Sequence, residues 1–466
     1  MSFVTSDSSS VRNPKLIIAV AAFAAFIATF NETFLNIGFT PIMADFGIGV
    51  STVQWLAGAY MLGAGVMVPV SAFLYRSVST KILFLAVVAL LVIGSVIGGF
   101  ASSFPVLLIG RIIQALGTGL LIPLGMNITL AVAPREKLGI CMGVMGAMTT
   151  LGPSLSIVIA GALLSSFSWH SLLWFFAGLA ALCFLFGAVL LRNISKLTHP
   201  KLDASSVALI ALALVGILYG VSTVFDGNVL LSLVTVVVGV ISLLVFVARQ
   251  KKLEHPLIDL RALAVKPFAI GVVMNMIALI IMFAMNIIIP VFLQGSLGAS
   301  PLDASFTLFP AIILSAVISP VAGKIYDRYG VKVLLPAGFA ITAAAILALS
   351  FFASTGSLIL MALLYIFVIG GAALIIGPVQ SFALSRLAPE IHAHGVTIMS
   401  TGFQIAGCIG ASLFSGIYAA ALGFAAASGD LVGSAVASQG FLVTGCILAA
   451  IGAVGLVLAF RIRRLA

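Results

Sequence analysis

The sequence predicts an all-α polytopic membrane protein with 14 transmembrane helices. Three observations carry that reading: too few charges for a water-facing surface, apolar runs of membrane length along the whole chain, and basic residues confined to alternate connections. Of 466 residues, 62% are hydrophobic and 7% are charged, far below the charge of an ordinary soluble surface. A helix needs about 20 apolar residues to cross the hydrocarbon core, and no stretch is left over for a water-soluble domain.

The apolar runs place helices at 15–39, 51–74, 81–101, 105–131, 138–165, 169–191, 204–224, 228–248, 267–293, 303–323, 331–352, 356–384, 394–422 and 438–460. The longest polar stretches are the first 14 residues, Arg192 to Ser205 and Arg249 to Lys266, which read as a tail and two loops. The first run is of full membrane length, contains Glu32 and lacks a short apolar core with a cleavage site, so it is expected to stay as a helix. Cys141, Cys183, Cys408 and Cys446 fall inside apolar runs without metal-ligand spacing, as packing residues do.

An even number of spans puts both ends of the chain on one side. Of 22 Lys and Arg residues, all except Arg111 lie in the tails or in the connections from even to odd helices, among them Arg76, Lys81, Arg135, Lys137, Arg192, Lys251, Lys252, Arg328, Lys332, Arg386 and Arg461. The alternate connections carry Asp45, Asp226, Asp303 and Asp430. This is the positive-inside pattern, which predicts a plasma-membrane protein with both termini in the cytoplasm. It also accounts for the net charge of +10 without a nucleic-acid partner.

Self-comparison turns the spans into an architecture. The fourth helix ends with Pro123 and Pro134 spaced as Pro378 and Pro389 are at the end of the twelfth, an offset of 255. The same offset carries Gly152 onto Gly407 and Gly161 onto Gly416. Helices one to six therefore match nine to fourteen. The expected organisation is a tail 1–14, a six-helix half 15–191, a linker with two inserted helices 192–266, a second six-helix half 267–460, and a tail 461–466. Parallel six-helix repeats are the plan of the major facilitator fold, with substrate bound at mid-membrane between the halves.

The motifs resemble that superfamily. Gly323-Lys-Ile-Tyr-Asp327-Arg328-Tyr-Gly330-Val-Lys332 is similar to its signature between the second and third helices of a half, here after the tenth helix. An acid can accept the free N–H groups of a helix start, and the basic residues can bind across the half interface, which suits a conformational latch. The first-half equivalent, Ser71 to Lys81, keeps Arg76 and Lys81 but has Tyr75 in place of the acid. Arg111-Ile-Ile-Gln114 resembles the family's Arg motif in the fourth helix. Gly152-Pro153 with Gly161 resembles the antiporter signature of the fifth, although Ser156 and Ile157 replace its second Gly-Pro pair. Asn31-Glu32-Thr33-Phe-Leu-Asn36, Trp55 to Tyr60 and Leu202-Asp203 are similar to segments of fourteen-helix drug:proton antiporters, Gram-positive lincomycin-type efflux proteins in particular. The resemblance implies a monomeric multidrug exporter with no cofactor other than protons as coupling ion, acting on small amphipathic or lipophilic compounds.

Glu32 and Arg111 are the formally charged residues well inside the expected spans, each about seven residues from the outer end of its helix, and at about 1.5 Å per residue they share a depth. A charge at the helix centre costs about 2.5 to 3.5 kcal/mol on insertion scales, so such residues are functional candidates. Burial favours the neutral acid and a neighbouring guanidinium the carboxylate, so Glu32 can exchange a proton as its surroundings wet and dry. The alternative is a static ion pair that holds two helices in register. Asn31, Asn36, Tyr60, Gln114, Asn275, Asn286, Gln380 and Gln404 are polar candidates for the substrate cavity, or equally for helix-to-helix bonds.

A lipid or lysolipid exporter of the same fold remains a rival to drug export. A membrane-embedded enzyme is the more distant alternative. His170, His199, His255, His392 and His394 sit at or beyond span ends without metal spacing, and the phosphate-binding loop of an ATP-driven pump is absent.

Overall fold

In hydrocarbon every backbone N–H and C=O must be bonded within the protein, and a helix does this locally. The computed structural model describes residues 13–463 except 54, 196, 199–202, 225–228, 255, 300 and 428–433, and no strand occurs among them. Among the described residues, fourteen helices are long and apolar enough to span a membrane. The first half contains α1 (Pro14–Phe46), α2 (Trp55–Ser77), α3 (Thr80–Gly99), α4 (Phe104–Val132), α5 (Leu138–Leu164) and α6 (His170–Leu190). The inserted pair is α7 (Ala204–Thr223) and α8 (Val229–Gln250). The second half contains α9 (Lys266–Leu297), α10 (Pro301–Tyr329), α11 (Val331–Phe352), α12 (Leu358–Ser385), α13 (residues 392–427) and α14 (Ser434–Arg463).

Two bounds differ from expectation in ways that matter. The first helix was expected to stop at 39, but a single 3-10 turn over Leu35–Gly38 leads into a further helix, Phe39–Phe46. Glu32 therefore lies near the middle of α1 rather than close to its outer end. The tenth helix, expected to end at 323, runs to Tyr329, so Gly323 to Arg328 form its last turns and not a loop. Gly330 ends it with φ 71°, a conformation cheap only for glycine. In α13 a π turn over Ile409–Leu413 joins His392–Cys408 to Phe414–Ala427.

Packing divides the bundle into apolar clusters. One is built mainly from α1 to α6, a second from α9 to α14, and a third joins α7 and α8 to Cys408 of α13. The halves meet where α5 runs along α10 and α12, and where α13 runs along α2 and α4; α7 lies over the second seam against α2 and α13. Much of α8 faces outward with large apolar side chains such as Leu230, Val237 and Leu244. Its end is clasped to the start of α7 by Arg249, which donates to both carboxylate oxygens of Asp203 at 2.7 and 3.0 Å. Those bonds and one from Ser206 hold Asp203 well below the usual carboxylate range. A depressed acid contributes its pairing above its unfolded value and loses it only as pH falls through the lowered one, so the clasp stays charged near neutrality. Asp226, Asp430, His199, His255 and Leu202 lie outside the described residues.

The α5–α10 seam is set by two glycines. A Cβ on Gly323 would lie 2.2 Å from the carbonyl oxygen of Gly139, so the backbones touch only because neither residue has a side chain. A Cβ on Gly161 meets nothing within 4 Å. Gly323→Ala is expected to lower the melting temperature in detergent by several degrees, and Gly161→Ala to leave it unchanged or raise it. Equal effects would show that the close approach is not what fixes this seam.

Candidate functional site

Arg111 is placed by α4, one turn before Gln114, and is only 1% exposed. Its charge has to be solvated by protein, because the side chain is buried. One nitrogen, Nη1, donates to the Asn31 carbonyl and to Asn31 Oδ1, both at 3.2 Å, and to Gln114 Oε1 at 3.0 Å. Nε donates to the Leu56 carbonyl at 3.5 Å. The guanidinium lies 4.0 Å from the centroid of the Tyr60 ring, a cation–π contact. These partners are themselves held. Gln114 Nε2 donates to Ser95 Oγ at 2.7 Å, Asn31 Nδ2 donates to the Tyr60 hydroxyl at 3.0 Å, and that hydroxyl bonds Thr118 at 2.6 Å. The network ties α1, α2, α3 and α4 together, while Arg111 Nη2 is buried with no partner among the described residues.

Glu32 is the next residue along α1 but points elsewhere, since successive helix positions differ by about 100°. The ion pairs among the described residues are Arg249–Asp203 and Arg261–Asp259, so Glu32 and Arg111 are not in direct contact. Half-buried Glu32 lines a small space between the halves with Val68, Thr118, Gly119, Ile122, Ser400, Phe403 and Gln404. A second small space adjoins it, sharing Ile122, Ser400 and Phe403 and adding Met126, Met145, Gly146, Thr149, Ile376, Gln380 and Met399. Together they form an apolar, methionine-rich centre with one carboxylate at its edge.

The other polar candidates separate accordingly. Gln404 and Gln380 line these spaces, and Gln380 donates to Asn275 Oδ1 at 3.2 Å, while the buried Asn275 Nδ2 has no partner among the described residues. Asn31, Tyr60 and Gln114 are fully buried around Arg111. Asn286 accepts from the Tyr365 hydroxyl at 2.7 Å, a neutral pair between α9 and α12. Asn36 is half-buried, and its Oδ1 has no partner among the described residues. Gly152 lets α5 meet α1, where a Cβ would lie 2.1 Å from Thr29 Oγ1, and next to Pro153 the Ser156 hydroxyl bonds Thr33 at 2.7 Å.

The basic side of the bundle is closed across the halves. Asp327, on α10, accepts from the backbone N–H groups of Gly139 and Ile140 at 2.7 and 3.0 Å, capping the start of α5 in the other half. The acid makes this cross-half bond, whereas Arg328 lies over its neighbour Tyr329. At the other seam Ser71 and Thr397 share a hydroxyl bond of 2.9 Å, and Lys81 and Lys332, the last residues of the two signature segments, lie in the first turns of α3 and α11.

The family model described as Major Facilitator Superfamily matches residues 21–411. The chain belongs to this superfamily. Among curated relatives, the lincomycin resistance protein LmrB of Bacillus subtilis (strain 168) is 33% identical over 85% of this chain and 84% of its own. A multidrug resistance protein B homolog of Mycobacterium tuberculosis is 27% identical, covering 85% and 74%. The solved structure of the proton:xylose symporter XylE shares the fold with a TM-score of 0.68 at 15% identity, covering 97% of this chain and 96% of that one. In this superfamily chain the space at Glu32 lies between the halves, where the fold binds substrate.

Sequence reasoning did not single out Thr118, Ser95, Met126, Met145, Met399 or Phe403. The apolar residues carry no signal that separates a cavity wall from a lipid-facing surface, whereas Ser95 and Thr118 were findable as polar residues within spans, Thr118 two turns along the helix of Arg111 and Ser95 on the neighbouring α3. Arg111→Lys is expected to cut transport at least about tenfold, because an ammonium cannot reproduce the planar fork shared by Asn31, Gln114 and Leu56. Efflux measured at matched expression checks this, and wild-type rates in the variant would mean that charge alone suffices.

Proposed function

We propose that the chain exports small amphipathic or lipophilic compounds from the cell in exchange for protons, with Glu32 as the carrier of both proton and substrate charge. The observation that carries this reading is the separation of the two intramembrane charges. Arg111 is solvated by its own network, and Glu32 is left facing the space between the halves. A carboxylate beside an apolar, methionine-lined centre suits a lipophilic cation, since methionine adapts to varied shapes. Relatives named for lincomycin and multidrug resistance support export of drugs. The distribution of basic residues supports cytoplasmic termini in a plasma membrane. In this reading the transporter works as a monomer, without a cofactor or enzymatic step.

In the proposed cycle, Glu32 is ionised when it binds the cationic group of the substrate. Exposure to the outside brings a proton to the carboxylate, the substrate leaves, and the protonated, neutral site returns. Binding and protonation compete for one group, so each cycle exchanges one proton for one monovalent cation and moves no net charge. Arg111 stays charged throughout and lowers the cost of ionising Glu32.

The test uses purified protein in liposomes with ethidium as the probe. Glu32→Gln is expected to abolish uptake driven by a pH gradient, while retaining slow ethidium movement down its own gradient. Full pH-driven transport in the variant excludes coupling through Glu32. A membrane potential that drives exchange without a pH gradient contradicts the one-for-one ratio. Counterflow of labelled lysolipid that exceeds dye transport moves the substrate assignment to lipids.

A further inference from the structure

The two seams between the halves are related by the internal repeat, but only one of them keeps its signature acid. Asp327 caps the N–H groups of Gly139 and Ile140. At the offset of 255 those residues correspond to His394 and Gly395 at the start of α13, and aligning the two signature segments, Gly323 on Ser71 and Arg328 on Arg76 at an offset of 252, puts Tyr75 of α2 in the position of Asp327. The α2–α13 seam therefore lacks the anion that the α5–α10 seam uses.

A connector that carries an acid reaches that place from elsewhere in the chain. The connector from α8 to α9 folds back into the bundle, with Leu257, Ile258 and Asp259 only 4%, 4% and 5% exposed. Gln250 at the end of α8 fixes its start: the Gln250 Oε1 accepts from the backbone N–H groups of Leu257 at 2.7 Å and Ile258 at 3.3 Å. The backbone N–H of Asp259 then donates to His394 Nδ1 at 3.2 Å, on α13. Its carboxylate is held by Arg261, at 2.6 Å from Nη2, which keeps it below the usual carboxylate range and hence charged. Arg76 at the end of α2 is near enough for the Asp259 carboxylate to favour its charge, while the guanidinium opposes a proton on His394. The cost of burying this charge is met by the pairing with Arg261, and among the described residues the hydrogen bonds of the Asp259 side chain and backbone N–H go to Arg261 and His394 rather than to α7 or α8.

We propose that the α8–α9 connector is a second latch on the basic side, supplying through Asp259 the negative charge that Tyr75 omits and joining Arg76 of α2 to His394 of α13. The inserted helix pair is thereby more than a lipid-facing addition: it anchors the latch, and α7 lies over the seam that the latch closes. Opening of the basic side separates α2 from α13, so the connector leaves one partner behind in each cycle. Asp259, His394 and Arg76 are positioning residues, distant from the space at Glu32.

Spin labels at Ser79 and Glu390, read by pulsed distance measurements in nanodiscs, follow this seam without relying on membrane orientation. Asp259→Asn is expected to raise the population at the longer distance at least about threefold. Arg261→Gln, which leaves the buried acid in place, is expected to keep the wild-type distribution. Adding Tyr75→Asp to Asp259→Asn restores the signature acid and is expected to return the seam to its closed population. An unchanged distribution in Asp259→Asn, or no recovery on adding Tyr75→Asp, overturns the proposal. If Asp259→Asn is unstable, Tyr75→Asp in the native chain decides: it is expected to deepen closure, and an unaltered distribution refutes the latch.

Discussion

A guanidinium at membrane depth must be solvated by the protein around it, and much of the first half is arranged to do so. Arg111 takes two oxygens from Asn31, one from Gln114 and one from the Leu56 backbone, and it rests on the Tyr60 ring. Each partner belongs to a helix that must then stay in register with α4. A buried ion pair would have achieved neutrality more simply, but it would also have consumed the acid. By using amide, carbonyl and aromatic groups, the bundle keeps a positive charge near Glu32 without occupying it. Arg111 organises the helices, and Glu32 faces the space between the halves, where it is free for the coupling role proposed for it.

The same economy appears at the basic side, where the halves separate and rejoin. Helix starts present unbonded N–H groups that attract an anion. At α5 that anion is Asp327, aided by the contact between Gly139 and Gly323, which no side chain obstructs. At α13 the signature acid is missing, and the seam is joined by Ser71 and Thr397 and by the connector at His394. Closure therefore combines short polar contacts, which can break individually, with close helix packing along α5 and α10. That suits a structure that must rock between two arrangements of similar free energy.

Much of the fold was legible in the sequence because hydropathy reports the hydrocarbon core directly. It fails where a helix continues beyond that core. Phe39–Phe46 and the turns from Lys324 to Tyr329 are helical but mixed in polarity, and apolar runs stop short of both. Glu32 and Arg111 stood out as charges within spans, yet their orientation did not, since one step along α1 separates the Arg111 network from the central space. Asn31, Tyr60 and Gln114 looked like cavity groups for the same reason; polarity within a membrane shows that a partner exists, not whether it is substrate or side chain. Met126, Met145 and Met399 were invisible among lipid-facing residues of the same character, and only tertiary packing gathers them.

The central claim is that substrate and proton compete for Glu32 while Arg111 stays charged. Proton release on binding measures this directly, in weakly buffered detergent solution with the purified protein and a lipophilic cation, at a pH where the acid is largely protonated. The account predicts release of about one proton per cation bound, as competition for a single carboxylate requires, and none from Glu32→Gln. Binding without proton release, or release undiminished in that variant, would contradict it.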